Sequence, residues 1–308
     1  MRPRHLAAGA DAASEGEAAP AFRLEAAFLF SIDLEDIRCL ISDGIRFAER
    51  VPANTERFLD FLARHDVRCT FFTVGDVARR YPWLVGRIAA AGHEIACHTS
   101  DHVPLDRRDR DSFRRDVVQC VDDLTRAGAA RVVGFRAPMG SLTEKTSWAW
   151  EILRELGFTY SSSVVAARNP LYGWPGFGLD RADIRGGLWE IPPSLSRLPG
   201  LNVPFVGGVY FRVLPFPLIR HLFRRRLLAG EPVVAYLHPY DIDTDQERYM
   251  HPEINSNRFY NWLLYRNRGD VFRRLERLLE CGARVVPYAE YVAETLERRV
   301  AGQRGAHA

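Results

Sequence analysis

The chain has 308 residues, of which 47% are hydrophobic and 26% charged, and its net charge is +3. That length fits one large domain or two small ones, with enough apolar residues for a substantial core. The charge gives no reason to expect or exclude a polyanionic partner, and no stretch reaches the roughly 18 apolar residues of a membrane-spanning helix.

Residues 1–21, rich in Ala, Glu, Gly and Asp, read as a disordered tail. They lack the apolar middle of a signal peptide, so a cytoplasmic location is expected. Cys39, Cys69, Cys97, Cys120 and Cys281 are odd in number and lack the short spacing of a zinc knuckle or redox motif, which fits reduced thiols. One domain is expected over residues 22–300, with a flexible tail at 301–308.

From Ala26 strands and helices alternate. AAFLFSID is a strand ending in acid. NTERFLDFLARH is an amphipathic helix with Asn54 as its expected cap. RCTFFTV is a buried strand, DVARRYPWLVGRIAAAG a helix closed by Gly92, and HEIACH a short strand. RDSFRRDVVQCVDDLTRAG is a helix, RVVGFRAP a strand, and SLTEKTSWAWEILRELG a helix ended by Gly157. FTYSSSV, LWEIPPS, EPVVAYLHP and ARVVPY are further strands, with helices PFPLIRHLFRRRLLAG and DVFRRLERLLECG between them. The basic run Arg220–Arg226 has apolar residues at helical spacing and reads as a surface helix, so no nucleic-acid role is expected. Residues 169–187, rich in Gly, Pro, Tyr and Trp, form a long loop, and 240–270 are a second excursion.

Repeated β-then-α units predict an α/β fold with a parallel sheet, in sufficient number to close a barrel. In such barrels chemistry sits at the C-terminal strand ends. Asp33, His98, Arg136 and His238 all fall there. Asp33, Glu35 and Asp36 crowd three acids into four positions, a repulsion that a cation or an arginine relieves. His98 and His102, spaced i,i+4, can meet at one ion across a helical turn or a tight loop, and with one carboxylate they leave a coordination position open. A buried Arg136 needs carboxylate partners. His238 has the acidity to hand a proton to a leaving group.

The ordered set SIDLED, HTSDH, FRAPMG, YSSSV and YLHPYD resembles the five motifs of the polysaccharide deacetylases, carbohydrate esterase family four, with chitooligosaccharide deacetylase homology. The resemblance runs from about Ala26 to Tyr291. GGVYFRVLP, HPYDID and RFYNWLLYRNRG look like the subgroup found in exopolysaccharide loci, with a role at the cell envelope. The resemblance implies a distorted (β/α) barrel and a hydrolase removing acetyl groups, N-acetyl ahead of O-acetyl, from an acetylated glycan. It implies a divalent ion, with Zn²⁺ the first expectation and Co²⁺, Ni²⁺ or Mn²⁺ also suited to the donors. Asp33 then resembles the catalytic base and His98 and His102 the imidazole ligands. The metal carboxylate is Glu35 or Asp36: Glu35 shares Asp33's side of a strand, and Asp36 does so only if the strand has already turned. Arg136 resembles the arginine that orients the base, Met139 supplies a backbone N–H to the oxyanion, and His238 resembles the general acid.

One position departs from the family pattern. The fourth motif usually carries an Asp that pairs with the catalytic histidine, and Ser161 stands there. His238 is therefore expected to be less readily protonated unless Asp241 or Asp243 substitutes. Two other readings are a metal-independent amidohydrolase on a small C–N substrate, and a non-catalytic glycan-binding relative whose Tyr172, Trp174, Phe177 and Trp189 stack on sugars. Metal analysis separates the first from a deacetylase, and acetate release separates the second.

Overall fold

Eight consecutive buried residues, Ala27–Leu34, form the central strand β1. Burial on both faces explains why its sequence is nearly continuous in apolar residues rather than alternating. The computed structural model describes residues 27–295 apart from 42, 169–170, 179–181, 185–186, 201, 252–253 and 255. The tails expected at 1–21 and 301–308 lie outside the described residues.

In chain order the elements are α1 (Val51–Arg64), β2 (Thr70–Thr73), α2 (Gly75–Arg80), α3 (Pro82–Ala90), β3 (Glu94–Cys97), α4 (Arg110–Arg126), β4 (Gly134–Phe135), α5 (Ala149–Glu155), β5 (Tyr160–Ser161), β6 (Ala182–Asp183) and β7 (Trp189–Glu190). They continue with α6 (Gly208–Val213), α7 (Phe216–Leu228), β8 (Val233–Leu237), α8 (Arg258–Leu264), α9 (Val271–Leu279) and β9 (Arg284–Val285). The sheet order is β6-β7-β5-β4-β3-β2-β1-β8, and β9 pairs with the first residues of β1. Every pairing is parallel except β6 with β7. The ends of this curled sheet are bridged without a ladder. Ser194 N donates to Val234 O at 3.0 Å, and Val234 N donates to Ser194 Oγ at 2.9 Å. The result is the expected distorted barrel.

Three local expectations are corrected. Asn54 does not cap α1: the helix starts three residues earlier, with Pro52 in its first turn, and buried Asn54 donates through Nδ2 to Asp243 Oδ2 at 3.0 Å. The helix expected across DVARRYPWLVGRIAAAG is two, broken at Tyr81, because a residue before proline is pushed out of the helical region. Tyr172, Trp174, Phe177 and Trp189 do not form a sugar platform. Trp174 stacks on Trp150 at 5.6 Å with Phe177 beside both, Trp189 is buried, and the Tyr172 hydroxyl donates to Asp106 Oδ1. Trp174 and Phe177 anchor their loop to the core. The Arg220–Arg226 run lies on α7, which buries Ile219, Leu222 and Phe223 and turns Arg226 inward to Glu231. Among the described residues no helix is long and apolar enough to cross a membrane.

Close approach requires glycine at 134 in β4. A Cβ there falls 2.0 Å from Cζ and Oη of Tyr160 on neighbouring β5. That ring cannot swing aside, because its hydroxyl donates to half-buried Glu94 Oε1 at 2.7 Å and its face stacks on Tyr288. Gly134→Ala is therefore expected to destabilise the fold by about 1–3 kcal/mol through overpacking, read as a lower denaturation midpoint with the same m-value.

Candidate metal centre

Strand ends assemble the site. Asp33 is the penultimate residue of β1 and Glu35 follows its end, so both project to one side of the sheet. His98 directly follows β3, Arg136 follows β4 and His238 follows β8. His102 reaches the same place through a tight loop, not a helix, with Thr99 and His102 both at positive φ (63° and 59°) and His102 N donating to Thr99 Oγ1.

Glu35, His98 and His102 are all buried and place their ligand atoms within 4.8 Å of one another. Glu35 Oε2 lies 2.6 Å from His102 Nε2 and 3.7 Å from His98 Nε2. His98 Nδ1 sits 2.8 Å from the carbonyl oxygen of Arg136. A carbonyl only accepts, so Nδ1 carries the proton and Nε2 turns its lone pair toward Glu35, the arrangement that holds metal-binding imidazoles in one tautomer. Burial by itself disfavours the Glu35 carboxylate. The charge and hydrogen bond of His102 outweigh it, with the His98 contact and the charge of His238 adding to them, and hold this carboxyl well below the usual range.

Charge matching supports a cation here. Among the described residues Asp33 pairs with Arg136, Asp36 with Arg38 and Arg80, and Asp241 with Arg212. Glu35 has imidazoles as its ion-pair partners and no guanidinium. Two imidazoles and a buried carboxylate form a donor set that fits a divalent transition ion with positions left open.

Asp36 is the candidate ligand that the geometry corrects. The chain turns after Glu35 into a 3-10 turn at Ile37–Leu40, and Asp36 caps that turn by accepting from Arg38 N. Its Oδ2 then meets Arg38 Nη2 at 2.6 Å and Arg80 Nη1 at 2.8 Å, away from both histidines.

Arg136 uses all five of its donors. Nε donates to Ser162 O, Nη1 to Ser31 Oγ and Asp33 Oδ1, and Nη2 to Ser162 Oγ and the Tyr288 hydroxyl. The guanidinium also lies 3.9 Å over the Phe72 ring. Asp33 is thereby fixed with Oδ2 at 4.0 Å from His238 Nε2, which is also 3.9 Å from Glu35 Oε1. Met139 lies in the turn Pro138–Gly140 at positive φ and lines the same cavity of about 240 Å³, together with Arg136 and His238.

Of the two substitutes expected for the missing carboxylate, Asp241 is the one that pairs with His238. Asp241, three residues on, accepts from both the backbone N (2.8 Å) and Nδ1 (2.9 Å) of His238. Asp241 is itself fully buried against Arg212, at 2.8 Å. Asp243 points elsewhere, to Asn54 and Arg50. Burial disfavours the imidazolium, but the hydrogen bond and charge of Asp241, with Glu35 and Asp33 behind, push His238 up to about 9. Asp241 is drawn down to about 2: burial opposes this, and the charge of Arg212 and the contact with His238 prevail. The serines of the fourth motif do other work. Ser161 and Ser163 hydroxyls bond at 2.7 Å, Ser162 holds Arg136, and Ser163 Oγ accepts from Ala137 N.

Tyr288 and Glu190 support the site without any signal in the sequence reading, and Arg212 does so from GGVYFRVLP, a segment singled out there only by resemblance and given no role. Glu190, buried on β7, accepts from the backbone N–H groups of Ser163 and Val164 and from Trp150 Nε1. Their sequence neighbours are apolar, and their partners lie tens of residues away.

A family model described as polysaccharide deacetylase matches residues 42–161, and a second, described as a domain of unknown function (DUF3473), matches 162–286. The seam falls at the end of β5, inside the sheet. His98, His102 and Arg136 lie before it and Arg212, His238 and Asp241 after it. Among curated relatives, a peptidoglycan-N-acetylglucosamine deacetylase of Bacillus cereus is 35% identical over 98 residues, 32% of this chain and 36% of the relative. A chitooligosaccharide deacetylase of Sinorhizobium fredii is 39% identical over 90 residues, 29% of this chain and 42% of the relative. The matches thus span under half the length of these relatives. A solved structure from Mycobacterium smegmatis, assigned as a polysaccharide deacetylase, shares the fold at 20% identity with a TM-score of 0.61, covering 92% of this chain and 94% of that one.

Proposed function

Because residues 42–161 match a family model described as polysaccharide deacetylase, we propose that the chain is a metal-dependent hydrolase removing acetyl groups from a glycan, N-acetyl ahead of O-acetyl. One observation carries the reading: the buried Glu35, His98 and His102 converge beside Asp33 and His238 at the mouth of the barrel. The names of the two curated relatives, a peptidoglycan-N-acetylglucosamine deacetylase and a chitooligosaccharide deacetylase, support the substrate class.

Glu35, His98 and His102 are the residues that would hold the ion, with Zn²⁺ preferred and Co²⁺, Ni²⁺ or Mn²⁺ compatible. Such an ion supplies a Lewis acid at the strand ends. Asp33, locked by Arg136, accepts a proton from the attacking water as general base. The backbone N–H of Met139 is assigned to the oxyanion. His238, protonated through Asp241, donates to the departing nitrogen as the C–N bond breaks, leaving acetate and a free amine.

Acetate release from a panel of acetylated glycans, with and without chelator, tests the reading. Release should stop with chelator and return with Zn²⁺; release that persists without metal would overturn the metal dependence, and no release from any glycan by metal-free protein with native activity on a small C–N substrate would indicate the amidohydrolase. The choice of carboxylate is tested separately. Glu35→Ala should lower metal affinity by more than about 100-fold, since losing an outer-sphere partner alone costs 10–100-fold. Asp36→Ala should leave one ion bound per chain at near-native affinity, measured by titration calorimetry.

A further inference from the structure

Helix α8 presents three aromatic rings to solvent, with Phe259 63%, Tyr260 50% and Trp262 46% exposed, and it buries none of its residues. Such a helix gains little from the core, yet both its ends are fixed. The Asn257 side chain accepts from the backbone N–H of Phe259 and Tyr260. Arg212 Nη1 donates to the carbonyls of Leu264 and Arg266 at 3.0 and 2.8 Å, while its Nε faces Asp241, the partner of His238. The rings are ordered too: Phe259 stacks on Trp262 at 5.9 Å with 26° between planes, and Arg266 lies 4.8 Å over Trp262.

The helix is continuous with the cavity. Leu264 at its C-terminal end lines the same space as Glu35, His98, His102 and His238. Phe259 lies five residues earlier, roughly 7 Å along the axis, so a polymer with one sugar at the ligand cluster would carry its neighbours across the rings. Flat aromatic faces suit the apolar C–H faces of pyranoses. Between Ser256 and Gly269 there is no acidic residue, while Arg258 and Arg266 are exposed. That charge favours neutral, acetylated sugars over sugars with free amines.

We propose that Phe259, Tyr260 and Trp262 form a distal subsite for an N-acetylated glycan chain, held in register with His238 by Arg212. The proposal rests on the glycan deacetylase reading and adds a chain-length preference to it.

The test is the double variant Phe259→Ala/Trp262→Ala, compared with the native chain on the di- and hexasaccharides of β-1,4-linked N-acetylglucosamine. Each exposed ring contributes only a few-fold to about tenfold. The expected result is a KM for the hexasaccharide raised about tenfold, with kcat and the disaccharide kinetics unchanged. An unchanged hexasaccharide KM, or equal losses on both sugars, overturns the proposal. So does unchanged kinetics with lost association to phosphatidylglycerol vesicles, which would make α8 a membrane contact. Should the native chain release no acetate from either sugar, the deacetylase reading fails separately. Calorimetry then decides: hexasaccharide binding lost in the double variant upholds the subsite, and no binding by the native chain refutes it.

Discussion

Replacing His98 by alanine is expected to lower divalent-metal affinity by more than about 100-fold and to take acetate release to background. His98 supplies one of the three ligand atoms that converge within 4.8 Å, and the remaining Glu35–His102 pair is only two-coordinate. Loss of a hydrogen-bonding partner behind a ligand costs 10–100-fold, so loss of the ligand itself must exceed that. The fold should survive. His98 terminates β3 rather than filling the core, and its removal leaves one buried acceptor, the Arg136 carbonyl, short of a partner at a cost of about 1–3 kcal/mol. Metal content by mass spectrometry, acetate release and a thermal melt on the same preparation separate metal loss from unfolding. Native acetate release from a folded His98→Ala variant would rule out the mechanism.

The general positions of these residues were legible in the sequence because each sits where a buried apolar strand stops. Asp33, His98, Arg136 and His238 announce themselves as polar residues at the ends of runs such as FLFSI and VVAYL, and the barrel topology then brings strand ends together. Period-two geometry already grouped Glu35 with Asp33. What it could not say was that the chain leaves the strand at Glu35 and spends Asp36 on a turn cap and two arginines, because that turn depends on Arg80 from α2. The same limit applies to His238. Asp241 lies only three residues away, but its choice over Asp243 depends on Arg212 and Asn54, which are distant in sequence. Aromatic residues were the least readable. Trp174 and Phe177 sit in a loop rich in glycine and proline and proved to be core anchors, whereas Phe259 and Trp262, in a stretch read only as a second long excursion, stay in solvent. Composition alone does not tell which side of a ring another element covers.

In metal-free protein the His238 imidazole is expected to titrate near pH 9, and in Asp241→Asn its midpoint should fall by at least about one unit. The native value is a balance. Burial pulls the pKa down, while the hydrogen bond and charge of Asp241 raise it more, helped by Glu35 and Asp33. An amide keeps the shape of the contact and removes its charge, so burial regains ground. The linkage signs follow. A histidine raised from 6.5 to about 9 contributes stability that is full below pH 6.5 and disappears as pH rises through 9, on the order of 3 kcal/mol. Asp241, lowered to about 2, contributes stability that is present above pH 3.8 and is lost as pH falls through 2. Asp241→Asn also leaves Arg212 buried beside a neutral group, a change that costs about 3–5 kcal/mol when one member of a buried pair is removed. If that variant does not fold, Asp241→Asn/Arg212→Met removes both charges and restores a neutral interior. Proton NMR of the His238 ring follows the midpoint directly, and the pH profile of acetate release gives a second reading. As His238 must be protonated to donate, the alkaline limb of the native profile should move to lower pH in the variant. An imidazole midpoint that stays near 9 without the Asp241 charge would show that something other than this carboxylate keeps His238 protonated, and the acid role would lose its structural basis.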